Sequence, residues 1–309
     1  MNGPVHDQSA ANRRGMAAMV AAMGCFVVND TLVKLSSASL PPTQIMAIRG
    51  LFASLAVLVL ILALGQWRKV RLLIARPALL RCLLEAIVTG LFVTALAHVT
   101  LGAITAILQV APLVLTALSA ILLREQVGWR RWAAVLFGFF GVILIIRPGL
   151  DGLDFYATLA VACAVMVAFR ELSTRWVSVE TPTVVLTLGT TMAVMLAGAV
   201  CIPFEPWHPV SGATLVKLAI AGLLVASGNW FIITAYRGTE VSAVGPFRYS
   251  IVLFAMVIGY FVFAEVPDAI AILGTVIVVA SGLYAAHREM VRRRLVSAAM
   301  SATPDGGGR

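Results

Sequence analysis

Charge is what this sequence has least of. Only 12% of its 309 residues are Asp, Glu, Lys or Arg, about half the ~25% usual in soluble domains. Hydrophobic residues make up 61% and the mean hydropathy is +0.98. A soluble chain this apolar would lack polar surface to cover itself. Cysteine is also sparse. Cys25, Cys82, Cys163 and Cys201 each lie in an apolar run, with no CxxC and no His/Cys cluster, so no zinc or redox site is expected and the thiols read as small buried hydrophobes. There is no GxxxxGK[ST], which excludes a built-in ATPase, and no HExxH or GxSxG. No Asp-rich pair suited to magnesium–diphosphate chemistry occurs. The sequence therefore predicts no catalytic residues, no metal and no cofactor. The stripe of polar residues a channel would need is missing too.

What is abundant is long apolar runs. They repeat along the chain at membrane-spanning length, as in a polytopic helical membrane protein. Strands of a β-barrel would alternate instead. Ten spans are predicted, near 16–36, 43–65, 78–97, 100–123, 129–147, 155–177, 181–203, 213–236, 240–264 and 268–287. The connectors carry turn chemistry, as in SLPPT, RPGLDGLD, FEPWHPVSG and VPD. The first run has no clear cleavage site before Asn29–Asp30 and reads as an uncleaved span rather than a signal peptide. The segments 1–15 and 288–309 are tails. The second is basic, ends in PDGGGR and is expected to be disordered.

The net charge of +9 suggests topology rather than nucleic acid. Arg13 and Arg14 precede the first span. Arg68, Lys69, Arg71 and Arg76 follow the second, and Arg124, Arg130 and Arg131 follow the fourth. Arg288, Arg292, Arg293 and Arg294 follow the tenth. With ten spans all of these fall on one side, so the positive-inside rule places both termini in the cytoplasm. The expected surroundings are the lipid of the inner (plasma) membrane. A monomer and a homodimer fit the sequence equally.

The two halves resemble each other. The run from Ala95, ALAHVTLGAITAILQVAPLVLTALSAILLREQV, aligns without a gap with the run from Ala235, AYRGTEVSAVGPFRYSIVLFAMVIGYFVFAEVP. Glu125 then meets Glu265, an offset of 140 (265 − 125). In NDTLVKL and RELSTRW, Asp30 meets Glu171 and Lys34 meets Arg175 at an offset of 141 (171 − 30). Charges are rare in spans, so these matches carry more weight than apolar ones. Five spans per half is odd, so the second half enters the membrane from the opposite side. Such an inverted repeat is the architecture of alternating-access carriers. Asp30/Lys34 and Glu265 then lie towards the outer face, Glu171/Arg175 and Glu125 towards the inner.

This set resembles the drug/metabolite transporter superfamily, in particular its EamA-like ten-span carriers. The resemblance covers about residues 16 to 287. It rests on the two five-span halves, on Lys34 in span 1, on APLVLTALSAILLRE ending at Glu125 and on GPFRYSIVLFAMVIGYFVFAEVPD with Glu265. It implies an all-α integral membrane fold: ten transmembrane helices forming two inverted repeats, 16–147 and 155–287, around a central cavity. It also implies transport of a small molecule without ATP hydrolysis. NDTLVKL, IMAIRG and AYRGTEVSAVGPFRYS look most like the branch that holds riboflavin and S-adenosylmethionine uptake carriers. Rival readings are an amino-acid or metabolite carrier of either direction, and a non-transporting scaffold or receptor subunit.

Ionised side chains in hydrocarbon cost about 2.5–3.5 kcal/mol each, so each intramembrane charge needs a reason. Asp30 and Lys34, four apart on one helical face, either hold each other or line the cavity and exchange partners during transport. Glu171 and Arg175 pose the same choice. Arg49, about 9 Å into span 2 at 1.5 Å per residue, has no acid near it in its own helix and is expected to join the outer cluster. Its choices are Asp30, Glu265 or an acceptor-rich substrate. Arg248 is expected midway along span 9, with Glu85, a backbone carbonyl or substrate as partner. Glu85 has Arg81 one turn away, and Gln109 is a further polar group in span 4. Asn229, Trp230 and Tyr236 in span 8, with Phe247 and Tyr249 in span 9, are either ordinary core and belt aromatics or a site for a flat ring. Pro112 and Pro246 each interrupt a helix ladder. Glu125 and Glu265 are left with capping, gating or proton coupling.

Overall fold

A computed structural model describes residues 3–124, 128–147, 154–236, 239 and 241–302. The side chains of 3–10, 241, 242, 289 and 292–302 are outside that description. Twelve α-helices and two 3-10 segments follow one another, and no strand occurs among the described residues. Among the described residues, ten helical stretches are long and apolar enough to cross a membrane. They are α1 (Gly3–Ser37), α2 (Pro42–Ala63), α3 (Arg76–Leu96), α4 with α5 (Leu101–Leu108, Ala111–Leu122), α6 (Trp129–Ile146), α7 (Phe155–Thr174), α8 (Thr183–Val200), α9 (Gly212–Tyr236), a 3-10 turn with α11 (Gly245–Tyr249, Ser250–Phe263), preceded by the short α10 (Val241–Val244), and α12 (Ala269–Ala302). Each predicted span coincides with one of these.

Helix extends into both terminal segments. α1 begins at Gly3, and α12 continues past the tenth span to Ala302. The basic segment from 288 is thus helical through Ala302. HREMVRRRLVSAAMSA is rich in helix formers and holds no Gly or Pro until Pro304, so nothing local stops the helix at the membrane surface.

In lipid, helices associate by close van der Waals contact rather than by the hydrophobic effect. Here α1 packs on α9, α3 on α7, α2 on α8, α6 on α12 and α4 on α11. Gly141 of α6 and Gly274 of α12 abut through their backbones, and a Cβ on Gly274 would lie 2.6 Å from the Gly141 carbonyl. Any side chain there would push the two helices apart. Buried apolar residues from both halves, including Val27, Ile45, Leu96, Ile104, Leu113, Ala160, Ala168 and Leu218, form one continuous core. Exposed Leu51, Leu55, Leu58 and Leu62 line one stripe of α2, the ordinary surface of a helix against lipid.

Three features support the repeat. Exchanging each span for the one five places on turns the α1–α9 contact into α7–α3 and the α2–α9 contact into α8–α3. The α2–α8, α6–α12 and α4–α11 contacts map onto themselves. Spans 4 and 9 are both broken, at Gln109–Val110 and at the Gly245–Tyr249 turn, and Gln109 matches Tyr249 at the offset of 140. Both spans also close on a left-handed residue, Arg124 (φ 53°) and Ala264 (φ 53°), again 140 apart. A non-glycine residue in that region costs of order 1–3 kcal/mol, so its recurrence at one register position is informative.

Candidate functional site

The end of the bundle where α1 finishes is tied by one charged knot. Lys34 Nζ lies 2.8 Å from Glu265 Oε1, with side-chain exposures of 13% and 14%. The ammonium also donates to the Val99 carbonyl at 2.5 Å and sits 5.2 Å from the centre of the Phe263 ring. Glu265 Oε2 accepts from the Leu101 N–H at 2.8 Å. Leu101 opens α4, so the carboxylate faces that helix's positive end. The left-handed turn at Ala264 aims Glu265 inward, and the Glu265 N–H bonds to Gly259 O at 3.0 Å. Three spans therefore meet on one ion pair.

This corrects the pairing within NDTLVKL. Lys34 turns to Glu265 and Val99, and Asp30 takes a different partner. The Asn29 amide donates to Asp30 Oδ1 at 2.8 Å, and its oxygen accepts from Arg49 Nη1 at 3.2 Å. Asn29 is 3% exposed. A buried neutral amide thus stands between a carboxylate and a guanidinium, both half-buried. Arg49 feels the charges of Asp30 and Glu85. It joins Asn29 and Asp30 and makes no ion pair with Glu265.

Towards the opposite end a second network links α3 to α7. Glu85 accepts from Arg81 Nη1 at 2.7 Å and from Arg170 Nη1 at 3.1 Å. Arg170 Nη2 reaches Glu171 at 2.6 Å, and Arg81 Nε donates to Thr174 Oγ1 at 2.9 Å. The expected Glu171–Arg175 pair is therefore replaced by Glu171–Arg170. Arg175 falls at the end of α7, where the helix has closed, whereas Arg170 lies inside it beside Glu85. Arg170 was missed by sequence reasoning. The available signal was the doublet Arg170–Glu171 inside an apolar span.

Arg248 also needs correcting. It lies in the 3-10 turn Gly245–Tyr249 that opens the ninth span, not midway along it, and it is exposed. Pro246 lacks the N–H that would continue the ladder, so the helix breaks and a new one starts at Ser250. Arg248 contributes its charge at Glu171. Tyr249, half-buried, sets its hydroxyl against Gly282 of α12. Gln109 is buried at the end of α4, beside the break above Pro112. Asn229 bonds back to the Val225 carbonyl at 2.8 Å. Trp230 shares an exposed stripe of α9 with Val216, Ile220 and Leu223, and Tyr236 is exposed at that helix's end. The network around Asp30 and Arg49 includes none of these aromatics. Glu125 lies outside the described residues.

Two further contacts fix the Lys34 end. Glu205 accepts from the Thr43 hydroxyl. The Gln44 amide donates to His208 O at 2.8 Å and accepts from the His208 N–H at 3.0 Å. They pin the start of α2 to the connector after α8, a tie between residues 164 apart that no local pattern announces. Among the described residues no group of three or more His, Cys, Asp and Glu side chains is placed to hold a metal.

Ten apolar helices with charged networks at both ends define a multi-pass α-helical membrane protein. Residues 13–147 match the EamA-like transporter family. The first half of the chain is thus similar to an EamA-like transporter domain. It is 29% identical over 290 residues to a riboflavin transporter of Vibrio cholerae serotype O1, covering 91% of this chain and 95% of that one. It is 23% identical to an S-adenosylmethionine uptake transporter of Rickettsia prowazekii (85% and 88% covered). It is 26% identical to the pseudopaline exporter CntI of Pseudomonas aeruginosa (86% and 94%). A crystal structure matches at a TM-score of 0.63 and 19% identity, over 93% of this chain and 99% of that one, which shows the fold alone.

Proposed function

We propose that this protein imports riboflavin across the bacterial inner membrane by alternating access. The observation that carries the reading is the arrangement of Asn29, Asp30 and Arg49 between two ion-paired ends. A polar site lies inside, and on either side of it spans of different halves are joined by charges that can part. Arg49 offers a fork of donors suited to an acceptor-rich ring system. The full-length likeness to a riboflavin transporter favours that substrate. The repeats 16–147 and 155–287 would rock about the site, with Lys34–Glu265 as the outer gate and the Glu85–Arg170–Glu171 network as the inner one. The distribution of Lys and Arg favours both termini in the cytoplasm.

The test is growth of a riboflavin auxotroph that has no uptake system of its own. Expression should restore growth at low riboflavin. No growth, with the protein shown to be in the membrane, overturns the riboflavin reading. An S-adenosylmethionine carrier is the second reading, favoured by the likeness to the rickettsial uptake transporter. Counterflow of labelled S-adenosylmethionine in proteoliposomes, absent for riboflavin, would establish it.

A further inference from the structure

The described spans contain three carboxylates, Asp30, Glu85 and Glu171, and Glu265 stands just beyond the ninth span. Glu85, Glu171 and Glu265 each make a direct ion pair, at 2.7, 2.6 and 2.8 Å. Asp30 makes none among the described residues. Its hydrogen-bond partner is the neutral amide of Asn29, and Arg49 reaches it only through that amide. A carboxylate held in a direct ion pair keeps its charge. One that faces a neutral donor inside a bundle is the one whose protonation costs least.

We propose that Asp30 is the proton-binding group of a proton–substrate symport. The charged groups and phenols of the surrounding elements are few. Lys34 lies on the same helix but is committed to Glu265. From α2 comes Arg49. From α3 come Arg81 and Glu85, bonded to each other. From α9 come Lys217 and Tyr236, from the turn before α11 Arg248 and Tyr249, and from α11 Tyr260. Of the cations, Arg49 is the one joined to Asp30 through Asn29.

That relay sets the coupling. With Asp30 ionised, Asn29 gives its N–H to the carboxylate and its oxygen to Arg49, and the two charges offset each other. A hydronium ion at the outer face transfers its proton to Asp30 Oδ2, forming an O–H bond and leaving water. Arg49 then loses the larger of its two acidic partners and keeps only Glu85, and carbonyl oxygens of a substrate satisfy its donors. Proton and substrate therefore favour each other's binding, and by linkage the effect is reciprocal. After the bundle opens inward, water takes the proton and the substrate loses its hold. The inference rests on the carrier reading, with riboflavin as its probe.

Two measurements test it. Infrared difference spectra of the purified protein, titrated without substrate, should show a protonated-carboxyl band that grows as the pH falls. The band should be absent in Asp30→Asn and displaced in Asp30→Glu. In proteoliposomes an inward proton gradient should drive riboflavin accumulation, up to about tenfold per pH unit for one proton. Asp30→Asn should lose gradient-driven accumulation and the pH dependence of riboflavin exchange. Asp30→Glu should keep coupling with a shifted midpoint. An identical carboxyl band in Asp30→Asn, or gradient-driven accumulation by that variant, overturns the assignment. Loss of riboflavin exchange in the unaltered protein, with the infrared band present, overturns the substrate reading and leaves the proton site standing.

Discussion

The ammonium of Lys34 and the carboxylate of Glu265 stand 2.8 Å apart, joining the first span to the end of the ninth. The same carboxylate caps α4 through the Leu101 N–H, and the same ammonium holds the Val99 carbonyl. Removing one partner strands the other. Glu265→Gln should cost about 3 kcal/mol of stability. Lys34→Met alone should cost a similar amount, and the double substitution much less than the sum. Cys82 and Cys163 are buried, so thermal unfolding in detergent can be followed with a thiol-reactive dye. Additive losses in the double-mutant cycle would show that the two groups do not act as a pair.

At the other end Glu85 is shared by Arg81 and Arg170. Glu85→Gln leaves two guanidinium groups without their common acceptor, and about 3–5 kcal/mol is the expected loss. Glu171 is more exposed, at 38% of its side chain, so Glu171→Gln should cost about 1 kcal/mol or less. Size-exclusion profiles of the two variants, expressed in parallel, separate the cases. Glu85→Gln should give little monodisperse protein, and Glu171→Gln nearly the normal amount. The reverse order would contradict the roles assigned to the two acids.

These two networks show where sequence reasoning ends. The spans were legible because about 20 apolar residues in a row admit one reading in a chain with so little charge. The breaks at Gln109 and Tyr249 were partly legible, since Pro112 and Pro246 announce a disturbed ladder. The partners were not. Helical spacing offered Asp30 to Lys34 and Glu171 to Arg175, because four residues is one turn. Lys34 instead meets Glu265 at the end of α11, and Arg170, the neighbour of Glu171 on α7, is drawn in by Glu85 of α3; such inter-helix contacts have no periodicity in one strand of sequence. Arg248 was misplaced for a related reason. Counting residues assumes one continuous helix, and the 3-10 turn puts Arg248 at the entry.

Asp268 gives a pH dependence whose sign is fixed. The Ala271 N–H and the Arg147 guanidinium hold its carboxyl below the ordinary value. A lowered folded value means that the charged form contributes stability at every pH above the unfolded value, about 3.9. The contribution is lost as pH falls through the folded one. The melting-temperature difference between the natural protein and Asp268→Asn should therefore be flat from pH 8 to pH 5 and narrow below about pH 4. Asn keeps the capping oxygen, so the comparison isolates the charge. A difference that instead changed between pH 8 and pH 5 would mean another group is responsible.

Arg248 stands exposed at the opening of the ninth span, with its charge felt at Glu171 of α7. It is positioned by a break in the backbone rather than by burial, so its substitution should leave the fold intact. If it meets substrate on the way through, Arg248→Ala should raise the KM for transport about tenfold, the equivalent of about 1.4 kcal/mol, with the melting temperature unchanged. Arg248→Lys should fall between, because an ammonium keeps the charge but lacks the planar fork of donors. Initial rates in proteoliposomes at several substrate concentrations give the KM, and the thiol assay gives the stability. If both variants transport as the natural protein does, Arg248 serves only to offset Glu171, and the substrate path runs past Arg49 without touching the turn that opens the ninth span.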